Sequence, residues 1–159
     1  MLGDIIRLVV SMAVCLCAGG LGAVFTAGKN LNDWYGQLHK PWFNPPSWVF
    51  GPVWTLLYIL MGVAVFLVWQ KGTDRRPVRM ALGVFALQLA LNALWTPLFF
   101  GLHWIGAALV EIVVLWLAIL ATVVAFRRVS RPAARCLYPY IGWVSFAAIL
   151  NASLWWLNR

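Results

Sequence analysis

Charge is what this chain has least of. Of 159 residues, 12 are Lys or Arg and 4 are Asp or Glu, far short of the roughly one quarter found in soluble domains. A water-solvated globular surface is thereby excluded. Histidine occurs twice and cysteine three times. Cys15 and Cys17 lie far from Cys136, so neither a disulfide framework nor a metal site has a spacing to stand on. There is no phosphate loop, nucleotide fingerprint or nucleophile–base pair, and hence no assigned catalytic residue, metal or cofactor. Low-complexity tracts and long linkers are missing too, and the chain reads as one domain over 1–159.

What is abundant is apolar residue, 64% of the chain, with a mean hydropathy of +0.86. Uncharged runs cover Leu8–Gly28, Pro41–Gln70, Met80–Val110, Ile112–Phe126 and Cys136–Asn158. About 20 apolar residues span the hydrocarbon core of a bilayer, so the stretch from Met80 to Phe126, broken only by Glu111, must hold two spans. Gly101, His103 and Trp104 mark the division. Hydrocarbon cannot satisfy peptide groups, and these runs are too long for barrel strands. The fold expected is therefore an all-α membrane bundle of five helices, at about 5–27, 47–70, 79–100, 104–127 and 133–157.

Positive residues collect on cytoplasmic connections. With five spans, one side carries Arg7, Lys71, Arg75, Arg76, Arg79, Arg127, Arg128, Arg131 and Arg135, and the other only Lys29, Lys40 and Arg159. The N-terminus is thus expected in the cytoplasm. The same placement makes the net charge of +8 a matter of topology and argues against nucleic acid as a partner. A signal peptide or lipoprotein reading of the first run fits poorly, because Val14 and Leu16 precede the cysteines and the apolar run continues to Phe25.

Between Trp34 and Tyr58 stand four of the eleven tryptophans and four of the eight prolines. An indole has an apolar ring and one N–H donor, which suits either a membrane interface or a pocket for a flat ligand. The first connection, about Gly28 to Pro46, is rich in Asn, Gly and Pro and should be ordered, largely non-helical, and able to close one end of the bundle. Three polar-aromatic faces follow from helical spacing: Trp54 and Tyr58; Gln88, Asn92, Trp95 and Thr96; Trp143, Ala147, Leu150 and Asn151. At similar depth they can converge on one cavity, with Trp143 nearer mid-membrane as its floor. Alternatively the tryptophans are belt anchors and the amides staple helices together.

Other features are weaker. Gly83, Ala86, Ala90 and Ala93, like Ala18/Gly22 and Gly19/Ala23, form small-residue stripes that mark helix contacts, internal or with a second copy. Glu111 is expected to be a protonated carboxyl or one that accepts a hydrogen bond from Trp or Tyr. His39 and His103 read as interfacial residues rather than haem ligands.

Taken together, Trp34-Tyr35, Lys40-Pro41-Trp42, Pro45-Pro46, Trp54, Tyr58, Gln88, Asn92, Trp95, Pro139-Tyr140, Trp143 and Leu150-Asn151 resemble the translocator protein family. Its members are also called tryptophan-rich sensory proteins or peripheral-type benzodiazepine receptors. The resemblance covers nearly the whole chain and implies a five-helix bundle, often a homodimer. It implies binding of porphyrins such as protoporphyrin IX, as ligands rather than cofactors, and of benzodiazepine-receptor-type compounds. The implied pocket residues are Tyr35, Trp54, Asn92, Trp95, Trp143, Ala147 and Leu150. Trp54 and Trp143 are further implied in light- and oxygen-dependent porphyrin breakdown, and porphyrin transport is a third possibility. The mammalian C-terminal sterol motif is not matched, since no tyrosine stands close before Arg159.

Overall fold

The structure, a computed structural model, describes residues 2–26 and 34–159. The expected start of the first connection, 28–33, lies outside the described residues. Six helices follow in order: α1 (Leu2–Thr26), α2 (Ser47–Trp69), α3 (Arg76–Thr96), α4 (Ile105–Val129), α5 (Arg131–Cys136) and α6 (Tyr138–Leu157). Among the described residues they make five segments long and apolar enough to cross a membrane, the last formed by α5 and α6 together. Their outward faces are apolar as well, with Ile5, Val9, Leu21 and Val24 of α1 all more than half exposed. Water does not favour such a surface, and lipid does.

Two proline positions reshape the expected helices. Pro97 has no N–H to return to the carbonyl four residues back, and α3 passes into a wider π-helical turn over Pro97–Gly101. Leu102 N–H closes it on Pro97 O at 2.9 Å. The chain then reverses through His103, whose φ of 58° is left-handed. The fifth span, expected as one helix from 133, begins at Arg131 and breaks at Leu137. Pro139 cannot donate backward, and Leu137 N–H bonds Ala134 O instead.

α1 packs on α2 and α3, α3 runs along α4, α4 along α6, and α5 closes back on α2. The main core holds Met61, Phe85, Leu115, Ile119, Phe126 and Tyr140. Ala18 and Gly22 of α1 face inward, whereas Gly83, Ala86 and Ala90 of α3 are exposed. The Ala18/Gly22 pair of α1 is thus an internal contact, whereas Ala23 of the second α1 pair is exposed like those three α3 residues.

A second cluster, Tyr35, Phe99, Ala108, Leu150 and Leu154, forms where the first connection lies over the bundle. After a helical turn at 34–37 this connection is extended or turned up to residue 46. It is tied down at both flanks. Trp34 stacks on His103 with centroids 4.1 Å apart. His39 N–H donates to Asn158 Oδ1 at 2.9 Å, and Asn158 Nδ2 donates to His39 O at 3.0 Å.

Candidate functional site

Beneath that connection the helices leave a cavity of about 450 Å³, within the range of small-molecule sites. Phe50, Trp54 and Tyr58 come from α2, Asn92 and Trp95 from α3, and Trp143, Ala147 and Leu150 from α6; Tyr35 closes the top. All seven residues singled out from the sequence therefore line one space. No Lys, Arg, Asp, Glu or His is among the described lining residues, so the cavity is apolar with a few neutral donors and acceptors.

The aromatic rings brace one another. Trp54 stacks on Tyr58 at 5.7 Å and meets Tyr140 edge-on at 6.3 Å. Trp95 lies flat on Phe99 at 4.9 Å. Trp143 meets Phe50 edge-on at 6.0 Å, which places it in the wall, level with the first turn of α2, and not at the expected floor. The reason is that α6 runs on for 14 residues beyond Trp143, about 21 Å at the usual rise, and the connection, not α2, fills that length.

From the cavity wall a hydrogen-bonded chain runs into the core. Tyr58 OH donates to Asn92 Oδ1 at 2.6 Å, Asn92 Nδ2 donates to Tyr140 OH at 2.9 Å, and Tyr140 OH donates to Gln88 Oε1 at 3.0 Å. Higher up, Trp95 Nε1 donates to Asn151 Oδ1 at 3.2 Å, and Asn151 Nδ2 donates to Ile105 O at 3.0 Å. The amides therefore staple helices and shape the cavity at once, because a polar group in hydrocarbon needs a partner. Among the three cavity indoles and the amides singled out, Trp143 differs: its buried Nε1 has no partner among the described residues.

At the top, Tyr35 OH donates to Asn44 Oδ1 at 2.7 Å, and Lys40 Nζ sits 4.8 Å over the Tyr35 ring. Burial pushes the Tyr35 phenol up to about 12, with the Asn44 bond opposing; it is a neutral donor at physiological pH. Glu111 is 8% exposed and does not line the cavity. Neither of its carboxyl oxygens has a partner among the described residues, so of the two expected states the one bonded to Trp or Tyr is not formed there. His103 is held in the Trp34 stack, and Trp42 and Trp48 are exposed.

Sequence reasoning missed Phe50, Phe99 and Phe100, which also line the cavity; the last two reach it through the π turn that Pro97 sets. It missed α1 as well. Gly19 and Gly22 are lining residues, and a Cβ on Gly22 would stand 3.1 Å from Thr96 Oγ1. The small-residue spacing was the available signal. Tyr140 entered only as part of a resemblance.

A sequence profile of the TspO/MBR family matches residues 11–157. The chain belongs to that family. It is 44% identical over 155 residues to the tryptophan-rich protein TspO of Chlorobaculum tepidum, covering 98% of each chain. It is 44% identical over 136 residues to the human translocator protein, covering 85% of this chain and 80% of that one. Against the tryptophan-rich sensory protein of Cereibacter sphaeroides it is 42% identical over 140 residues, covering 86% and 85%. This TspO/MBR member is thus a multi-pass membrane protein.

Proposed function

We propose that the protein is a membrane receptor or sensor that takes porphyrins, and benzodiazepine-receptor-type ligands, into the aromatic cavity and thereby regulates tetrapyrrole handling. The observation that carries this reading is the convergence of Trp54, Asn92, Trp95 and Trp143 on one uncharged space of about 450 Å³. A flat apolar ligand gains ring faces there, and the buried Trp143 N–H, lacking a partner among the described residues, offers it a donor. Lys40 supplies a cation at the lid for an acidic ligand substituent. The names of the translocator and sensory relatives support the same reading.

The charge bias sets the N-terminus in the cytoplasm, with the lid on the opposite side. The exposed Gly83, Ala86 and Ala90 stripe of α3 is the face for a second copy in a homodimer. The test is quenching of tryptophan fluorescence by protoporphyrin IX in the detergent-purified protein beside Trp54→Phe/Trp143→Phe. Saturable quenching, weakened in the variant by about tenfold or more, equal to about 1.4 kcal/mol, is expected. Linear quenching that is alike in both would show partition into the micelle and defeat the reading.

A second reading, oxidative breakdown of porphyrin, draws on Trp54 and Trp143 lining the same cavity. Product formed in the dark would favour it, and product formed only under illumination would mark photosensitised damage.

A further inference from the structure

The seam between α1, α2 and α3 holds a second space at its other end. It is a groove of about 330 Å³ walled by Val10, Val14, Val65, Leu82, Phe85 and Ala86, the last also part of the exposed α3 stripe, and ending at Thr73. Its lining residues fall at 10–15 on α1, 65–69 on α2 and 82–89 on α3, whereas the aromatic cavity uses 16–26, 47–58 and 92–96 of the same helices. The groove opens outward past Val10 and Val14, 40% and 51% exposed. One polar atom stands out in this apolar lining. Ser11 is 2% exposed, and its Oγ has no partner among the described residues. A helical serine ordinarily bonds the carbonyl one turn back, and a buried hydroxyl without a bond is costly.

The rim of the groove is basic. Thr73 is flanked by Lys71, Arg75 and Arg76, all exposed. Arg79 Nη1 fixes the loop by donating to Thr73 O at 3.3 Å and Asp74 O at 2.9 Å. Four cations against the one carboxylate of Asp74 leave this loop strongly positive. Arg7 lies one helical turn nearer the helix start than Ser11, about 6 Å by the usual rise, and pairs with Asp4 at 3.7 Å.

We propose that this groove is a binding site for one anionic phospholipid, with an acyl chain between α1 and α3, an ester carbonyl accepting from Ser11 Oγ, and the phosphate on Lys71, Arg75 and Arg76. The arrangement fits the chemistry in each layer. Apolar walls take the chain, the Ser11 hydroxyl stands in that lining without a partner among the described residues, and the cations flank the Thr73 end. Basic pockets between membrane helices hold anionic headgroups in this manner. The site does not depend on what occupies the aromatic cavity.

The experiment is native mass spectrometry of the full-length protein from micelles carrying phosphatidylglycerol or phosphatidylcholine with the same acyl chains. One phosphatidylglycerol is expected to stay bound at concentrations where phosphatidylcholine does not. Ser11→Leu, which fills the groove with an apolar side chain, loses it. Lys71→Gln/Arg75→Gln/Arg76→Gln weakens retention by more than about tenfold, down to the phosphatidylcholine level. Thermal unfolding of each variant checks its fold, and either variant suffices. Equal retention of the two lipids by the native protein overturns the proposal. So does wild-type retention in folded Ser11→Leu, which would confine the lipid to the loop.

Discussion

Trp95 and Trp143 carry the same indole to the same cavity and differ in what the N–H finds. Trp95 Nε1 is bonded to Asn151, so Trp95→Phe leaves Asn151 Oδ1 without its donor and lowers stability by about 1 kcal/mol, within the range measured for hydrogen bonds in membrane bundles. Trp143→Phe removes a buried N–H that has no partner among the described residues, and stability is kept or slightly raised. Thermal denaturation of the two variants in detergent, compared with the native protein, is the check; a reversed order would mean that the Trp143 N–H is satisfied. Glu111 and Ser11 share this unpartnered character, but only Ser11 lines an open space. That contrast separates a buried group left over by packing from one offered to a ligand.

At the scale of elements, contact distance between helices decides where a side chain is admissible. A Cβ on Gly62 of α2 would come 2.6 Å from Met12 Sδ and 3.1 Å from the Met12 Cα. The second atom is backbone, so Gly62→Ala must push α1 from α2, at a cost of about 1–3 kcal/mol. Gly142 of α6 has nothing within 4 Å of such a Cβ, and Gly142→Ala gains up to about 1 kcal/mol from helix propensity. Thermal midpoints moving in opposite directions are expected for the pair. The number and order of the spans were legible because hydropathy and charge alternation are properties of the chain itself. The π turn at Pro97 and the break at Leu137 were not. A proline announces a disturbed helix, but whether it kinks, widens or stops depends on what packs around it.

For the whole molecule, the exposed α3 stripe predicts assembly. Ala90→Leu places a branched side chain on the Gly83–Ala86–Ala90 face, and a homodimer measured by light scattering in detergent should become a monomer; a native protein that is already monomeric there would remove the proposal. That the Ala18/Gly22 pair of α1 packs inward and the α3 stripe outward was invisible in the spacing, which is helical in both. Part of the cavity was readable in advance, since Trp54, Asn92, Trp95 and Trp143 fall on helical faces that can converge in a five-span bundle, although the same spacing also fits belt anchors. The share of α1 and of Phe99 and Phe100 was not, because it arises from close approach at glycine and from a widened turn. The sequence by itself determined that this protein lives in a bilayer, how many times it crosses, and which helical faces are polar. Those are one-dimensional properties, set by solvent transfer and helical periodicity. Only the tertiary structure decided how the rings pack, which donors find a partner among the described residues, and that a second groove ends at Thr73 of the basic loop. Those depend on distances between residues far apart in the chain, which no local pattern encodes.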